Sequence, residues 1–215
     1  MVNHHTNSKW LREYKNKLHL SDIQKQVLVG TLLRDGSLKI SVSGKSARLQ
    51  VCHSFVHEEY VLWKKEIFKD WVLSGPKYYK VNNSLIFRTV SHPEIYKFFL
   101  DFYQNKIKIV PRDILSLLKS NLALAVWFMD DGNGYSNTNA YRLSTYAFGL
   151  KGTLLLQKCL YDNFGLNSSL KKDSKGYQIY IPVKNGSASR FRKLTYKYIT
   201  SDMKYKYRYH WPRRD

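Results

Sequence analysis

Two apolar runs of this chain end in Asp-Gly, and each is followed by β-like sequence. The first spans residues 27–36, with Asp35 before the final glycine, and the second spans residues 122–132, with Asp131 in that place. Each run is long enough for about three helical turns, and glycine is common just past a helix C-terminus. A carboxylate there faces the negative end of the helix dipole, which is mildly unfavourable. Because the same local rule is broken twice, we expect the two aspartates to serve a function.

The charge of the chain favours a polyanionic partner. Lys and Arg number 36 against 16 Asp and Glu, giving a formal net charge of +20 over 215 residues. Such an excess opposes compaction unless a polyanion neutralises it, so we expect nucleic acid first and an anionic membrane surface second. No apolar run has the length of a spanning helix, and no signal-peptide core is visible. Cys52 and Cys159 lie in apolar-patterned segments, which favours buried thiols in a reducing compartment over a disulfide.

Helix and hairpin patterns occur in the same order twice. A basic helix over residues 8–18 comes first. The first half is then predicted as the motif helix, a hairpin at 37–53, a helix at 58–72, a hairpin at 77–90 and a helix at 93–103. The second half is predicted as a short helix from Pro111, the motif helix, strands near 134–135 and at 141–148, a helix at 150–164, a hairpin at 167–183 and a helix at 187–199.

This repetition predicts an α+β fold with two pseudo-symmetric halves. The motif aspartates are 131 − 35 = 96 residues apart, about the length of one half. We expect an N-terminal extension over residues 1–20, a first half over 21–107 and a second half over 108–215 with a basic tail. The two halves would pack on the two motif helices.

The tail of the chain mixes basic and aromatic residues. Residues 190–215 hold nine Lys and Arg against two acids, interleaved with Tyr205, Tyr207, Tyr209 and Trp211. This combination suits contact with a phosphate backbone, which we prefer to the alternative of a solvated basic face.

The two runs resemble a known motif. Residues 28–36 and 124–132 look like the two copies of the nine-residue motif that names the LAGLIDADG homing endonucleases. The resemblance is to the single-chain, double-motif members and covers nearly the whole chain. The small residue at the contact between the motif helices is Gly30 in the first copy but Val126 in the second.

The resemblance implies a fold and an activity. The fold is α+β, with two αββαββα-type halves packed on the motif helices, and each half carries an antiparallel, saddle-shaped DNA-binding sheet. The activity is that of a monomeric, site-specific double-strand DNA endonuclease that cuts a long asymmetric target and leaves short 3′ overhangs. The cofactor is Mg²⁺, with Mn²⁺ as a substitute, and the family favours an organelle as the location.

The motif aspartates have the chemistry that a divalent metal requires. Mg²⁺ prefers carboxylates, carbonyls and waters, and it supports phosphodiester hydrolysis by activating water and relieving charge on the phosphate. Asp35 and Asp131 supply carboxylates, which is also the role implied by the family, and the main-chain carbonyls of Arg34 and Asp130 are free at the helix ends. Taken singly, each aspartate is better explained by a plain Asp-Gly turn, whereas the pair of them in this repeated layout favours metal binding. For the Asp130 side chain we prefer a surface or capping role to metal binding.

Family analogy also places lysines near the scissile phosphates. The candidates are Lys108 and Lys206, with Lys204 as the alternative to Lys206, and each would stabilise developing charge or help to position the attacking water. General phosphate contact is the competing interpretation for all of them. For His53 we prefer a hydrogen-bonded structural role to a place in the water network.

The predicted sheets offer residues that could read DNA. A two-stranded ribbon fits the major groove, where alternate side chains on one face reach the base edges. The first-half candidates are Lys39, Arg48, Lys77, Lys80 and Arg88. The second-half candidates are Arg142, Lys171, Lys172, Tyr177 and Gln178.

Two other functions are alternatives for a chain with this fold. One is an RNA maturase that binds intron RNA and assists splicing of a group I intron, for which the motif acids need not be catalytic. The other is a catalytically inactive DNA-binding relative, which would bind without metal-dependent nicking.

Overall fold

A computed structural model describes residues 8–135 and 138–207 of the chain. The elements of the first half are α1 (Lys9–Asn16), α2 (Asp22–Leu32), β1 (Ser37–Ile40), β2 (Ala47–Ser54), α3 (Glu58–Ile67), β3 (Lys77–Tyr79), β4 (Ser84–Arg88) and α4 (Pro93–Phe102). Those that follow are β5 (Tyr103–Gln104), β6 (Ile107–Lys108), α5 (Ile114–Leu117), α6 (Asn121–Asp131), β7 (Gly132–Gly134), β8 (Tyr141–Ser144), α7 (Gly149–Phe164), β9 (Ser169–Asp173), β10 (Gly176–Ile181) and α8 (Ser187–Thr195).

The two large sheets have the same topology. Their strand orders are β1-β2-β4-β3 and β7-β8-β10-β9, and all neighbours are antiparallel. Each sheet is preceded by a motif helix and interleaved with further helices in the same order. The prediction of an α+β fold with two similar halves is therefore confirmed.

The motif helices α2 and α6 pack directly against each other. Nearly every residue of α6 is buried, as expected for a helix that is apolar on all sides. The close approach depends on Gly30, where an added Cβ would lie 2.5 Å from the Ala123 carbonyl oxygen and 2.7 Å from the Val126 Cβ. A glycine in α2 is therefore enough to let the two helices approach, and α6 can carry Val126 at the matching position of its motif.

Side-chain caps fix where both motif helices begin. Ser21 and Gln24 form a capping box at the start of α2, and the Ser120 hydroxyl accepts the Ala123 amide at the start of α6. At the other end, neither of the glycines that follow the aspartates has a positive φ. Glycine is required there because a Cβ on Gly132 would lie 2.0 Å from the Phe128 ring.

Several elements end earlier than their sequence patterns predict. The helix expected to reach residue 72 ends at Ile67, and the strand expected to reach residue 148 ends at Ser144. The last predicted helix ends at Thr195, and a 3₁₀ segment over Ser201–Tyr207 follows it after a short turn. In each case apolar residues continue past the regular element in 3₁₀ turns, so hydrophobic periodicity alone overestimates its length.

The short β5–β6 hairpin was not predicted, and Asn105 and Lys106 at its tip both have positive φ. Both cysteines are free, with Cys159 buried and Cys52 half-buried. Tyr209 and Trp211 of the predicted basic tail lie outside the described residues. Among the residues that are described, no helix combines the length and apolarity needed to cross a membrane.

Candidate metal centre and charged sheet faces

Asp35 and Asp131 converge from separate halves of the chain. Asp35 lies in the turn after α2, and Asp131 is the last residue of α6. The Arg34 side chain lies between them, with its Nε 3.7 Å from Asp35 Oδ1 and 3.3 Å from Asp131 Oδ1. Both predicted metal ligands therefore lie beside one guanidinium group at the seam between the halves.

The two carboxylates are in an environment that penalises their negative charge. Their side chains are 32% and 15% exposed, respectively. Burial raises the pKa of Asp35 to about 6, with a further contribution from Asp130, and burial raises the pKa of Asp131 to about 7. Asp131 Oδ2 is also buried without a hydrogen-bond partner. Paired carboxylates with an unpartnered oxygen fit a divalent cation, which would favour the ionised form of both.

The two predicted lysines lie at matching positions. Lys108 Nζ donates to the carbonyl oxygens of Arg34, at 2.7 Å, and Gly36, at 2.5 Å. Lys206 Nζ lies 3.5 Å from the Asp130 carbonyl oxygen. Burial lowers the pKa of Lys108 to about 8 and also lowers the pKa of Lys206. The main-chain carbonyls of Arg34 and Asp130 were expected to be free to bind metal. They are instead contacted by the ammonium groups of Lys108 and Lys206, so that expectation is wrong.

Of Lys204 and Lys206, the two candidate lysines near the end of the chain, Lys206 is the one beside the candidate metal centre. Its residue is 8% exposed, whereas Lys204 is exposed on the surface of the 3₁₀ segment over Ser201–Tyr207. This segment crosses to the first half, where the Asp202 carboxylate accepts the Tyr60 amide at 3.0 Å.

The prediction of a surface or capping role for Asp130 is wrong. Its side chain is fully buried and accepts hydrogen bonds from Lys64 Nζ at 2.7 and 3.0 Å and from the Tyr60 hydroxyl at 2.7 Å. Burial lowers the pKa of Lys64 and raises the pKa of Tyr60, while the Asp130 carboxylate favours the charged ammonium. Asp130 is therefore the anion of a buried ion pair, and the adjacent Asp131 faces the candidate metal centre.

His53 lies between this ion pair and Asp35. Its Nδ1 is 3.5 Å from Asp35 Oδ2, and its Nε2 is 3.6 Å from Asp130 Oδ1. Burial, followed by the nearby Lys64, lowers the pKa of His53 to about 3, so the ring is neutral. The sequence favours a structural role for His53 and does not predict its contact with Asp35, a candidate metal ligand.

Asp35, His53 and Asp130 form a second cation-binding candidate. One ligand atom from each lies within 4.8 Å of the others. Asp130 already has three hydrogen bonds from Lys64 and Tyr60, so it has less capacity for a metal than Asp131. The pair of Asp35 and Asp131 therefore fits a cation better than this trio.

The buried ion pair was not identified from the sequence, although α3 carries a signal for it. Lys64 lies between Tyr60 and Ile67 at helical spacing, so it shares the apolar face that these two residues form on the predicted helix. A lysine in an apolar stripe needs a buried anion, but its partner is 66 residues away.

The first sheet collects basic residues on its outer face. Lys39 pairs with Arg48 across β1 and β2, and Arg88 on β4 lies opposite Gln50, to which it donates at 2.7 Å. Lys77 pairs with Ile86 on the same face, while Leu38, Leu49 and Phe87 point to the core. Lys80 begins the 3₁₀ turn between β3 and β4.

The second sheet divides its candidates between two faces. Arg142, Lys171 and Gln178 share the outer face, where Lys171 Nζ lies 3.7 Å from the centre of the Tyr180 ring and 4.9 Å from that of Tyr135. Gln178 is only 7% exposed. Lys172 and Tyr177 pair with each other on the opposite face, because consecutive strand residues alternate. The strand register therefore separates Lys172 and Tyr177 from Lys171 and Gln178, and contact of any of the four with DNA stays a prediction.

Comparison with known proteins gives the family. The LAGLIDADG DNA endonuclease family matches residues 25–188. DNA endonuclease I-ChuI of Chlamydomonas applanata is 28% identical, over 88% of this chain and 96% of that protein. Probable intron-encoded endonuclease 1 of Wickerhamomyces canadensis is 30% identical, over 93% and 90%. Relatives also include proteins named cytochrome b mRNA maturase.

A solved structure extends the similarity to the whole fold. The homing endonuclease I-WcaI, bound to its DNA recognition sequence, superposes with a TM-score of 0.86 and 29% identity, over 96% of this chain and 95% of that one. The chain is a member of the LAGLIDADG DNA endonuclease family.

Proposed function

We propose that this protein is a homing endonuclease, which hydrolyses both strands of a long, asymmetric DNA target with Mg²⁺ and leaves short 3′ overhangs. One observation carries the proposal: the carboxylates of Asp35 and Asp131, from separate halves, lie beside the same Arg34 Nε, and one Asp131 oxygen is buried without a partner. The I-WcaI structure with its DNA and the names of the relatives support DNA as the substrate.

In the proposed mechanism, Asp35 and Asp131 hold the cation at the seam. A divalent cation bound by these two carboxylates would supply positive charge near the phosphate and would make an attacking water more acidic. Lys108 and Lys206 hold positive charge beside the same helix ends, where they stabilise the charge that develops on the phosphate. With its pKa near 8, Lys108 is also able to exchange a proton with nearby water.

The two sheets supply the DNA surface in this proposal. Lys39, Arg48, Lys77 and Arg88 form the basic outer face of the first sheet, with Lys80 at its hairpin turn. Arg142, Lys171 and Gln178 form that of the second, together with Tyr135 and Tyr180, which sequence reasoning missed. Because the two faces differ in sequence, a single chain would read two different half-sites as a monomer.

Selection of cleaved sites from a randomised DNA library tests the proposal. With Mg²⁺ the wild-type chain should enrich one asymmetric site, and with Ca²⁺ it should bind that site without cutting. Asp35→Asn and Asp131→Asn should each abolish cleavage and retain binding. Asp70→Asn, a change at an exposed acid in the 3₁₀ turn over Lys69–Trp71, is the matched control and should cut normally. Normal cleavage by either seam variant would refute the metal assignment.

A maturase is the second candidate, and the maturases among the relatives are the observation that favours it. An in vitro splicing assay on the host intron RNA tests it, since a maturase should accelerate splicing. Unchanged splicing at saturating protein would remove this candidate. One relative is named as intron-encoded, and an organellar location for this chain stays a prediction.

A further inference from the structure

The two candidate metal ligands have different neighbours. The Arg34 guanidinium lies beside both carboxylates, but Asp35 Oδ2 also lies 3.5 Å from Nδ1 of His53. His53 comes from β2 and is 8% exposed, so packing fixes its ring. Behind the ring lies the fully buried pair of Lys64 and Asp130.

The partners of His53 determine which ring nitrogen carries the proton. Lys64 Nζ, which can only donate, lies 3.5 Å from Nε2. Asp130 Oδ1 is also near Nε2, but it already accepts from Lys64 and from Tyr60, each at 2.7 Å. On the other side, Nδ1 lies 3.5 Å from Oδ2 of Asp35, which as an ionised carboxylate can only accept. A lone pair on Nε2 and a proton on Nδ1 therefore satisfy all these groups together.

We infer that His53 is a positioning residue, which donates from Nδ1 to the Asp35 carboxylate and orients it for the metal, while the Lys64–Asp130 pair holds the ring in the required tautomer. The inference rests on the proposed function of Asp35 as a metal ligand. A fixed donor behind a ligating carboxylate is a common way to orient it and raise its affinity for the ion. Within residues 8–135 and 138–207, a histidine ring is recorded beside Asp35 and none beside Asp131, so the two sides of the candidate centre are built differently.

Binding of Mn²⁺ to the protein without DNA tests the inference, measured from the electron paramagnetic resonance signal of the free ion. His53→Leu removes the donor at similar volume and should weaken binding about tenfold, the lower end of the effect seen for groups that orient ligands. His53→Asn keeps an N–H near the position of Nδ1 and should retain affinity within about threefold. His19→Leu, at a histidine with 79% side-chain exposure, is the control.

A spectroscopic readout tests the tautomer independently of activity. Long-range ¹H–¹⁵N spectra of ¹⁵N-histidine-labelled protein should show the Nδ1–H form for His53, assigned by its loss in His53→Asn. The double variant Lys64→Met/Asp130→Asn removes the ion pair without leaving a lone charge, and it should shift His53 toward the Nε2–H form. An Nε2–H tautomer in the wild type would overturn the inference.

Asp35→Asn separates the two claims. If Asp35→Asn loses Mn²⁺ while His53→Leu binds as tightly as the wild type, the positioning role is wrong and the metal assignment stands. If Asp35→Asn binds Mn²⁺ as the wild type does, the proposed function of Asp35 fails first. If circular dichroism shows that His53→Leu is unfolded, two other measurements decide whether His53 positions Asp35. These are the Mn²⁺ affinity of His53→Asn relative to the wild type and the tautomer spectrum of the wild type.

Discussion

Neighbouring acidic residues at the end of α6 have different environments and therefore different roles. Asp130 has no exposed side-chain surface and is neutralised by Lys64, which is equally buried. Asp131 retains 15% side-chain exposure and an oxygen without a partner. A buried ion pair contributes little net stability, but removing one partner leaves a lone charge in the core.

The Lys64–Asp130 pair should behave as a coupled unit. Lys64→Met should lower the free energy of unfolding by about 3–5 kcal/mol, because Asp130 is left buried and unpaired. Adding Asp130→Asn should recover much of that loss, since no charge then remains in the core. Urea denaturation of the wild type and the single and double variants measures this, and equal stability for the single and double variants would show that the pair is not coupled.

The seam aspartates should make the stability of the metal-free protein depend on pH. Their pKa values are about 6 and 7 in the folded protein and 3.8 as the reference, so between these values the folded state binds more protons than the unfolded state. The free energy of unfolding should therefore fall as the pH rises from about 4 to 7. At pH 8, Asp131→Asn should stabilise the metal-free protein by on the order of 1 kcal/mol after allowance for solvent screening.

Thermal denaturation in EDTA at pH 5 and pH 8 measures this effect, with Asp70→Asn as the control. Added Mg²⁺ should raise the melting temperature of the wild type at pH 8 and have no such effect on Asp131→Asn. A wild type and an Asp131→Asn variant with the same pH profile would contradict the electrostatic account.

At the level of elements, the packing of α2 against α6 determines where the aspartates lie. Gly30 allows the backbones to approach, and the caps at Ser21 and Ser120 fix the register of each helix start. A shift of one helix along the other would move its aspartate away from the seam. The candidate metal centre therefore depends on helix packing several residues distant from it.

Gly30→Ala should destabilise the protein by about 1–3 kcal/mol, the usual cost of overpacking. Its Cβ would meet Ala123 backbone and the Val126 side chain, neither of which is the free end of a flexible chain. Gly75→Ala is the control, because a Cβ there meets nothing within 4 Å and its φ is not positive. Gly30→Ala should lower both the melting temperature and the cleavage rate, whereas Gly75→Ala should change neither. Equal melting temperatures for the two variants would contradict the packing account.

The sequence predicts features that depend on local pattern and fails at contacts between distant side chains. Gly30, Asp35 and Asp131 follow from two motif copies at half-chain spacing, and the hairpins follow from alternation and turn residues. The role of Asp130 does not, because it requires that Lys64 on α3 reach α6. The face of Lys172 likewise depends on a strand register that a shift of one residue reverses.

At the scale of the whole molecule, the two halves share topology but differ in chemistry. Their sheets have the same strand order, yet the first outer face is rich in Lys and Arg, and the second joins cations to the rings of Tyr135 and Tyr180. The segment carrying Lys206 also reaches from the second half to α3 of the first half, where Ser201 donates to Glu59. This asymmetry is consistent with a single chain reading a non-palindromic site.

Adjacent lysines on β9 provide a test of the proposed DNA-binding face. Lys171→Gln should weaken binding and reduce the slope of log affinity against log salt by about 0.9, the value for one lost phosphate contact. Lys172→Gln, on the opposite face, should leave the slope nearly unchanged. Fluorescence anisotropy with the selected target in Ca²⁺ at several salt concentrations measures both, and an equal loss for the two variants would contradict the assigned face.

Anomalous diffraction from crystals of the protein–DNA complex grown with Mn²⁺ tests the central claim most directly. We predict a peak between the carboxylates of Asp35 and Asp131, within coordination distance of both. A peak held instead by His53 and Asp130, or no peak within reach of Asp131, would contradict it.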